Sequence, residues 1–389
     1  MSVTAPDGFT AAGLPCGIKL NGDPDLALVA TTDARAVPAA AVFTTNKMTA
    51  APVLVSQSHL LATSGRAAAV VLNSGNANAA TGEVGRLHGE QTCAAVAAEL
   101  GCAPEEVLVC STGLIGIPLP IDSILAGVPG LCAARRPGPP GATAAAEAIR
   151  TTDTHRKETV VRRGGVLVGG MAKGAAMLAP TMATMLALLT TDAVAEPPTL
   201  RRVLRAGVAG SFNALVTDGC TSTNDTVILL ASGASGVDDE GALADAVAEA
   251  CADLAEQMAG DAEGATKVVR LAVTGAATDT EAMAGARKIA GSALCKCSWY
   301  GADPYWGRLA SELGSAGISF DQSRLSIAYG GVTVARQGVP VVHDEAALRR
   351  YMANRHLDIA CDLGLGAGSA TVLTNDLTHA YVDENMGTS

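Results

Sequence analysis

A layered α+β architecture is the fold class this sequence predicts, and three observations predict it. Short apolar runs of strand length are mixed with longer helical patterns, without a clean repeating unit. Of 389 residues, 49% are hydrophobic, enough for a buried core and more than one lobe. No self-similarity recurs at a fixed period, which argues against repeat folds.

In chain order, residues 26–29, 53–56 and 69–72 read as strands. A helix is expected over 86–100, then a strand over 106–110 that runs into Ser111-Thr-Gly-Leu-Ile-Gly116. Arg136-Pro-Gly-Pro-Pro-Gly141 is the clearest loop signal. A strand over 166–168 follows. A long helix is expected from a cap at Asp238 to about Gly260. Leu243, Val247, Cys251, Leu254 and Met258 recur along it at three or four residues as one apolar stripe. Next come a strand over 268–273 and a helix over 281–293. Residues 325–329 and 332–334 form a hairpin about Gly330-Gly331. A short helix over 345–352 and a strand over 370–373 complete the order.

The formal net charge of −11 disfavours nucleic acid and anionic membranes, and an anionic ligand would need a local lysine or arginine. Aromatics are only 3%, so stacking platforms for bases are not expected. Apolar runs fall short of a membrane span. Met1-Ser-Val-Thr-Ala-Pro-Asp7 lacks the pattern of a signal peptide. The ten cysteines are spread through apolar contexts, and small buried thiols explain most of them, as in a reducing cytoplasm.

Several segments carry candidate chemistry. Lys173-Gly174 follows Val168-Gly-Gly-Met-Ala172, but no phosphate-loop or dinucleotide spacing is present. The histidines are scattered and Cys295-Lys-Cys297 has a single spacer, so no metal is expected. No cofactor motif stands out.

Thr181 and Thr184 lie three apart in an apolar run after Pro180. By pattern alone this run is a small-residued buried helix starting near the proline. The alternative is chemical. A threonine hydroxyl becomes a good nucleophile when a base sits beside it, and a free α-amine on the same residue is the simplest such base. That requires cleavage of the Ala183–Thr184 bond, and small Ala183 leaves room for attack on its carbonyl.

Ser111–Gly116 offers either an ordinary turn or a backbone N–H and a hydroxyl for an oxyanion. Asn73-Ser-Gly-Asn-Ala-Asn78 shapes a pocket or reverses the chain. The dense polar run from Phe212 through Asp225 is either a surface loop or a satisfied buried network. In Asp261-Ala-Glu-Gly-Ala-Thr-Lys267, Glu263 suits an amine and Lys267 a carboxylate or internal partner; a solvated loop is equally consistent.

Several motifs in one order resemble the ArgJ family, the ornithine acetyltransferases, across nearly the whole chain. They are Asn76-Ala-Asn-Ala-Ala-Thr-Gly82, Ser111–Gly116, Thr151-Thr-Asp-Thr154, the run Lys173 to Leu186 around Thr184, and Phe212-Asn213. Thr217-Asp-Gly219, Thr221-Ser-Thr-Asn-Asp225, Glu263-Gly-Ala-Thr-Lys267 and Asp303-Pro-Tyr-Trp-Gly-Arg308 continue the series. The resemblance implies a layered DmpA/ArgJ-like α+β fold, like N-terminal nucleophile hydrolases in its layers but with its own topology. It implies a precursor cut before Thr184. An α chain, residues 1–183, and a β chain, residues 184–389, would assemble as an α2β2 heterotetramer. It implies acetyl transfer from N2-acetyl-L-ornithine to L-glutamate in arginine biosynthesis, and in some members acetyl-CoA also serves as donor.

Carried over residue by residue, Thr184 is the nucleophile, and Thr112 and Gly113 hold the oxyanion. Thr151, Lys173, Thr184, Glu263, Asn385 and Ser389 match the substrate contacts. Lys173 is the natural partner of the α-carboxylate. Two departures stand out. After Asn385 come Met386-Gly-Thr-Ser389, without the family's tyrosine and one position short, so Ser389 is out of step. Tyr300 and Tyr305 replace a histidine and an asparagine of the family motif, in a segment that tunes the pocket, the α/β interface or only packing. The competing readings are an N-terminal-nucleophile amidase, with water as acceptor, and an assembly protein without catalysis.

Overall fold

The computed structural model describes residues 2–177 and 185–387, and these form three sheets flanked by helices. The first sheet runs Phe9–Leu14, Leu26–Thr31, Ala69–Asn76, Val107–Leu114, with only the last pair parallel. The second runs Arg66–Ala67, Val37–Phe43, Thr226–Ala231, Leu186–Thr191, Val166–Lys173, Lys157–Arg163. The third runs Leu215–Val216, Gly368–Asn375, Val268–Ala276, His356–Asp362, Ser326–Tyr329, Val332–Arg336, Val339–Pro340.

Side-chain alternation decides how the first two sheets stack. Leu186 and Leu188 join Val29, Val70, Leu72 and Leu108 in the core between them. Ala187 and Leu189 point the other way, against Val247, Cys251 and Leu254 of the helix Glu240–Gly260. The outer face of the first sheet is covered in turn by the helices Gly82–Leu100 and Ile121–Ala133, through residues such as Cys93, Val96, Ile124 and Val128. The result is helix, sheet, sheet, helix. The third sheet builds a separate core with the helices Asp279–Ala290, Ala293–Tyr300, Gly307–Gly314 and Glu345–Met352, centred on Trp299 and Tyr329.

The apolar stripe Leu243, Val247, Cys251, Leu254, Met258 is buried as expected, and its helix is capped by Asp239, one residue beyond the expected Asp238. The hairpin, the helix Glu345–Met352 and most strands also match expectation.

Four local readings need correction. Residues 53–56 lie in the helix Ala51–Ala62, where Pro52 suits the first turn. The loop signal at 136–141 ends in Pro139, which opens the helix Pro139–Ala148 for the same reason. The helix expected over 281–293 is two helices, because Gly291 ends one and the Ser292 hydroxyl caps the next. The apolar run after Thr184 is a strand, not a helix. Leu186–Thr191 pairs antiparallel with Val166–Lys173 and parallel with Thr226–Ala231, and both its faces are buried. A strand buried on both faces loses alternation, so its sequence does not distinguish it from a buried helix. Thr181, Ala183, Thr184 and Ser389 lie outside the described residues. Among the described residues, no helix is long and apolar enough to cross a membrane.

Leu189 is fully buried in the middle of this sheet. We expect Leu189→Ala to lower the unfolding free energy by about 2–5 kcal/mol, measured as a fall in the denaturant midpoint at unchanged m-value.

Candidate active site

A cavity of about 570 Å³ opens where the first two sheets meet the loop at 261–263 and the C-terminal helix His379–Glu384. Thr112, Gly113, Thr151, Lys173, Glu263 and Asn385 line it together with Lys19, Asn21 and Met177. Six residues singled out from the sequence, spread over more than 270 positions, therefore share one space.

Thr112 and Gly113 are not in a turn. The strand Val107–Leu114 continues through them, pairing Thr112 with Ser74 and Gly113 with Gly75. Gly113 has φ +133°, and a Cβ there would lie 2.3 Å from the Gly75 carbonyl carbon and 2.5 Å from the Asn76 nitrogen. Only glycine fits that approach. Behind it, the Ser111 hydroxyl donates to Asn73 Oδ1 at 2.5 Å. Asn224 Nδ2 donates to the carbonyls of Ala77 (2.6 Å) and Ser111 (2.9 Å). The end of the polar run, Ser222 to Asp225, is buried and hydrogen-bonded into this network, as in the second of its two sequence readings, while Gly219 and Cys220 are exposed.

Lys173 ends the strand Val166–Lys173 and is 3% exposed. Burial pushes its ammonium below the usual lysine range, against the opposing field of Asp153. Asp153 Oδ2 lies 4.0 Å from Lys173 Nζ. The same carboxylate accepts from Lys157 Nζ (2.6 Å), Gly174 N–H (2.7 Å) and Thr151 N–H (3.1 Å). Burial alone would raise the Asp153 carboxyl, but Lys173, Lys157 and the Gly174 N–H together hold it well below the usual carboxylate range. Lys157 is fully buried and also donates to Asp261 Oδ2 at 2.6 Å.

Glu263 is held from two sides. Its N–H donates to the Ala175 carbonyl at 2.9 Å, and its Oε2 accepts from Asn385 Nδ2 at 2.7 Å. Lys267, in the same motif, is an internal partner: its ammonium donates to the carbonyls of Met352, Ala353 and Asn354 at the end of a helix.

Two carboxylates of the polar run reach the chain on either side of residues 178–184. Asp218 Oδ2 accepts from Met177 N–H at 2.6 Å, and Asp225 Oδ1 accepts from Met185 N–H at 2.9 Å. Burial pushes the Asp225 carboxyl well above the usual carboxylate range, against the pull of Met185 N–H, the Ser222 hydroxyl and Lys173. Asp153, Lys157, Asp218 and Asp225 were not picked out as individual residues from the sequence. The signal available for the three aspartates was their membership of Thr151–Thr154 and of the polar run, and Lys157 lay in no motif; which carboxylate meets which N–H depends on strand register. Tyr300 and Tyr305 are not on the cavity wall. Tyr300 packs edge-on against His379, with centroids 6.2 Å apart, and Arg308 lies over the Tyr305 ring.

A cavity with a hydroxyl and a glycine on one wall, a buried ammonium on another and a carboxylate opposite suits an enzyme acting on a small amino-acid-like molecule. Among the described residues, no cluster of metal-ligating side chains accompanies it. The comparisons make the class specific. The chain belongs to the ArgJ family, whose model matches residues 10–387. It is 50% identical to the arginine biosynthesis bifunctional protein ArgJ of Streptomyces coelicolor over 100% of both chains. It is 37% identical to a solved chain of the ArgJ protein of Bacillus halodurans, which covers 50% of this chain and 95% of its own, with a TM-score of 0.49. It is 47% identical to a chain of the Mycobacterium tuberculosis ornithine acetyltransferase solved with ornithine, covering 46% of this chain and 94% of its own, at a TM-score of 0.42.

Gly113→Ala places a methyl group into backbone atoms. It is expected to cost roughly 2–3 kcal/mol, read as a lower unfolding midpoint, with loss of activity in whatever protein remains folded.

Proposed function

We propose that this ArgJ-family acetyltransferase of arginine biosynthesis is a self-processed enzyme that moves acetyl from N2-acetyl-L-ornithine to L-glutamate through an acetyl-threonine. The observation that carries this reading is the convergence of Thr112, Gly113, Thr151, Lys173, Glu263 and Asn385 on one cavity, with Met177 on its wall.

In processing, the Thr184 hydroxyl attacks the Ala183 carbonyl. The acyl group shifts from nitrogen to oxygen, and water hydrolyses the ester. The products are chains 1–183 and 184–389, and the new α-amine stays beside its own hydroxyl. In transfer, Thr184 Oγ attacks the acetyl carbonyl while this amine takes its proton. The Thr112 hydroxyl and Gly113 N–H hold the oxyanion. The tetrahedral adduct collapses, the proton passes to the leaving amine, and ornithine departs. Glutamate then enters, and its amine attacks the ester and restores the threonine.

Lys173 and Thr151 serve the α-carboxylate common to both substrates. Glu263, braced by Asn385, serves an amine. Ser389 remains a candidate contact from the tail. The interleaving of strands from both sides of Thr184 in one sheet supports chains that stay together after the cut, and we extend this to an α2β2 assembly.

Thr184→Ala is expected to give a single uncut species of 38.9 kDa without transfer activity, while Thr184→Ser keeps partial cleavage. Intact mass and N-terminal sequencing read this directly. A wild-type protein that never yields two fragments would sink the mechanism, and acetate release at equal rate without glutamate would favour the amidase. Thr112→Ala should lower kcat by about 100-fold or more, with a smaller change in KM, in a steady-state transfer assay.

A further inference from the structure

Lys173 presents an unusual combination. Its ammonium is buried at the cavity wall, yet among the described residues it donates no hydrogen bond, and its ion-pair partner is Asp153 at 4.0 Å. Buried lysines elsewhere in the chain have close acceptors: Lys267 three carbonyls, Lys157 two carboxylates, Lys296 the Thr374 hydroxyl and the Asn375 carbonyl. Asp153 opposes the effect of burial on Lys173 without consuming its donors.

The reason is visible in how Asp153 is held. Its Oδ1 is taken by Lys157 and by Gly174 N–H, and its Oδ2 accepts from Thr151 N–H. Lys157 is anchored in turn by Asp261. These bonds fix the carboxylate on the side away from a tight pair with Lys173. At 4.0 Å in a low-dielectric site, the attraction still favours the charged amine strongly, and the three N–H donors stay available for an incoming anion.

We propose that Asp153 is a positioning residue for substrate binding, which holds Lys173 charged but unspent for the substrate carboxylate, with Lys157 as the clamp that keeps it at that distance. The same carboxylate ties down the Thr151 backbone, so two carboxylate-binding elements of the cavity share one support. The inference rests on the reading of Lys173 as the carboxylate partner.

The test is steady-state acetyl transfer from acetylornithine to glutamate, with KM and kcat measured across pH 6 to 10. Wild type, Asp153→Asn and the charge-balanced double variant Asp153→Asn/Lys157→Met are compared. The groups that act on Lys173 are Asp153, Lys157, Glu263, Asp225 and Lys19. Removing Asp153 takes away the leading group that favours its charged form. Binding needs the protonated amine, so KM in the variants should begin to rise at lower pH than in wild type. At pH 7 we expect KM for both substrates to rise about tenfold, with kcat changed less. The double variant removes the Asp153–Lys157 pair together, leaving Lys173 without Asp153 as the test requires and Asp261 without Lys157, and melting temperature and fragment masses verify that it is folded and cut. A folded, cut double variant whose KM and its pH profile match wild type would overturn the proposal. So would an equal fall in kcat without any shift of the KM profile, which is the signature of a merely structural role. Absence of transfer in the wild type would instead refute the functional reading itself.

Discussion

The strand Leu186–Thr191 is the element on which the rest of the structure depends. It lies inside the six-stranded sheet, with Val166–Lys173 on one side and Thr226–Ala231 on the other. One face looks into the core between the sheets, the other into the core under the helix Glu240–Gly260. Backbone pairing on both edges and burial on both faces leave this segment a single register, because a shift of one residue would exchange the two faces. The chain therefore enters the sheet at a set point beside Asp225. Lys173 and Leu186, the ends of two neighbouring strands, pair across that point. The cavity and the ends of the segment around Thr184 are consequences of one register.

The charges at the site follow a second constraint. A buried ion is costly unless it is paired and hydrogen-bonded, and such pairs contribute more to orientation than to net stability. Lys157, Asp153 and Asp261 satisfy one another across segments far apart in sequence, joining the Thr151 turn to the end of the long helix. The Thr154 hydroxyl also donates to Asp261. A few residues later the same connection carries Glu263, whose N–H is bound to Ala175 just past Lys173. The two ends of the cavity are thus parts of one hydrogen-bonded frame.

Much of this was legible in the residues. The apolar stripe Leu243 to Met258 named its helix because a one-sided surface element must repeat at the helical period. Gly330-Gly331 named its hairpin because the turn needs positive φ at both positions, and both have it. Ser111 to Leu114 misled, since small polar residues resemble a turn, whereas here they continue a strand whose partner is the equally polar Asn73–Asn76 segment. The candidate residues came from motifs, and the cavity gathers those that are described. Their supporting carboxylates did not come forward, because an aspartate in a polar run looks the same whether it faces water or a buried lysine.

By itself the sequence determined the α+β class, most of the elements, the family and the residue types that the chemistry needs, because composition, periodicity and ordered motifs are local properties of the chain. Only the tertiary structure decided that the run after Thr184 is a doubly buried strand, that Asp218 and Asp225 hold the chain at Met177 and Met185, and that Asp153 stands near Lys173 without closing on it. Those outcomes depend on register and on distances of a few ångströms between segments far apart in sequence, and pairing across space leaves no period in the chain to read.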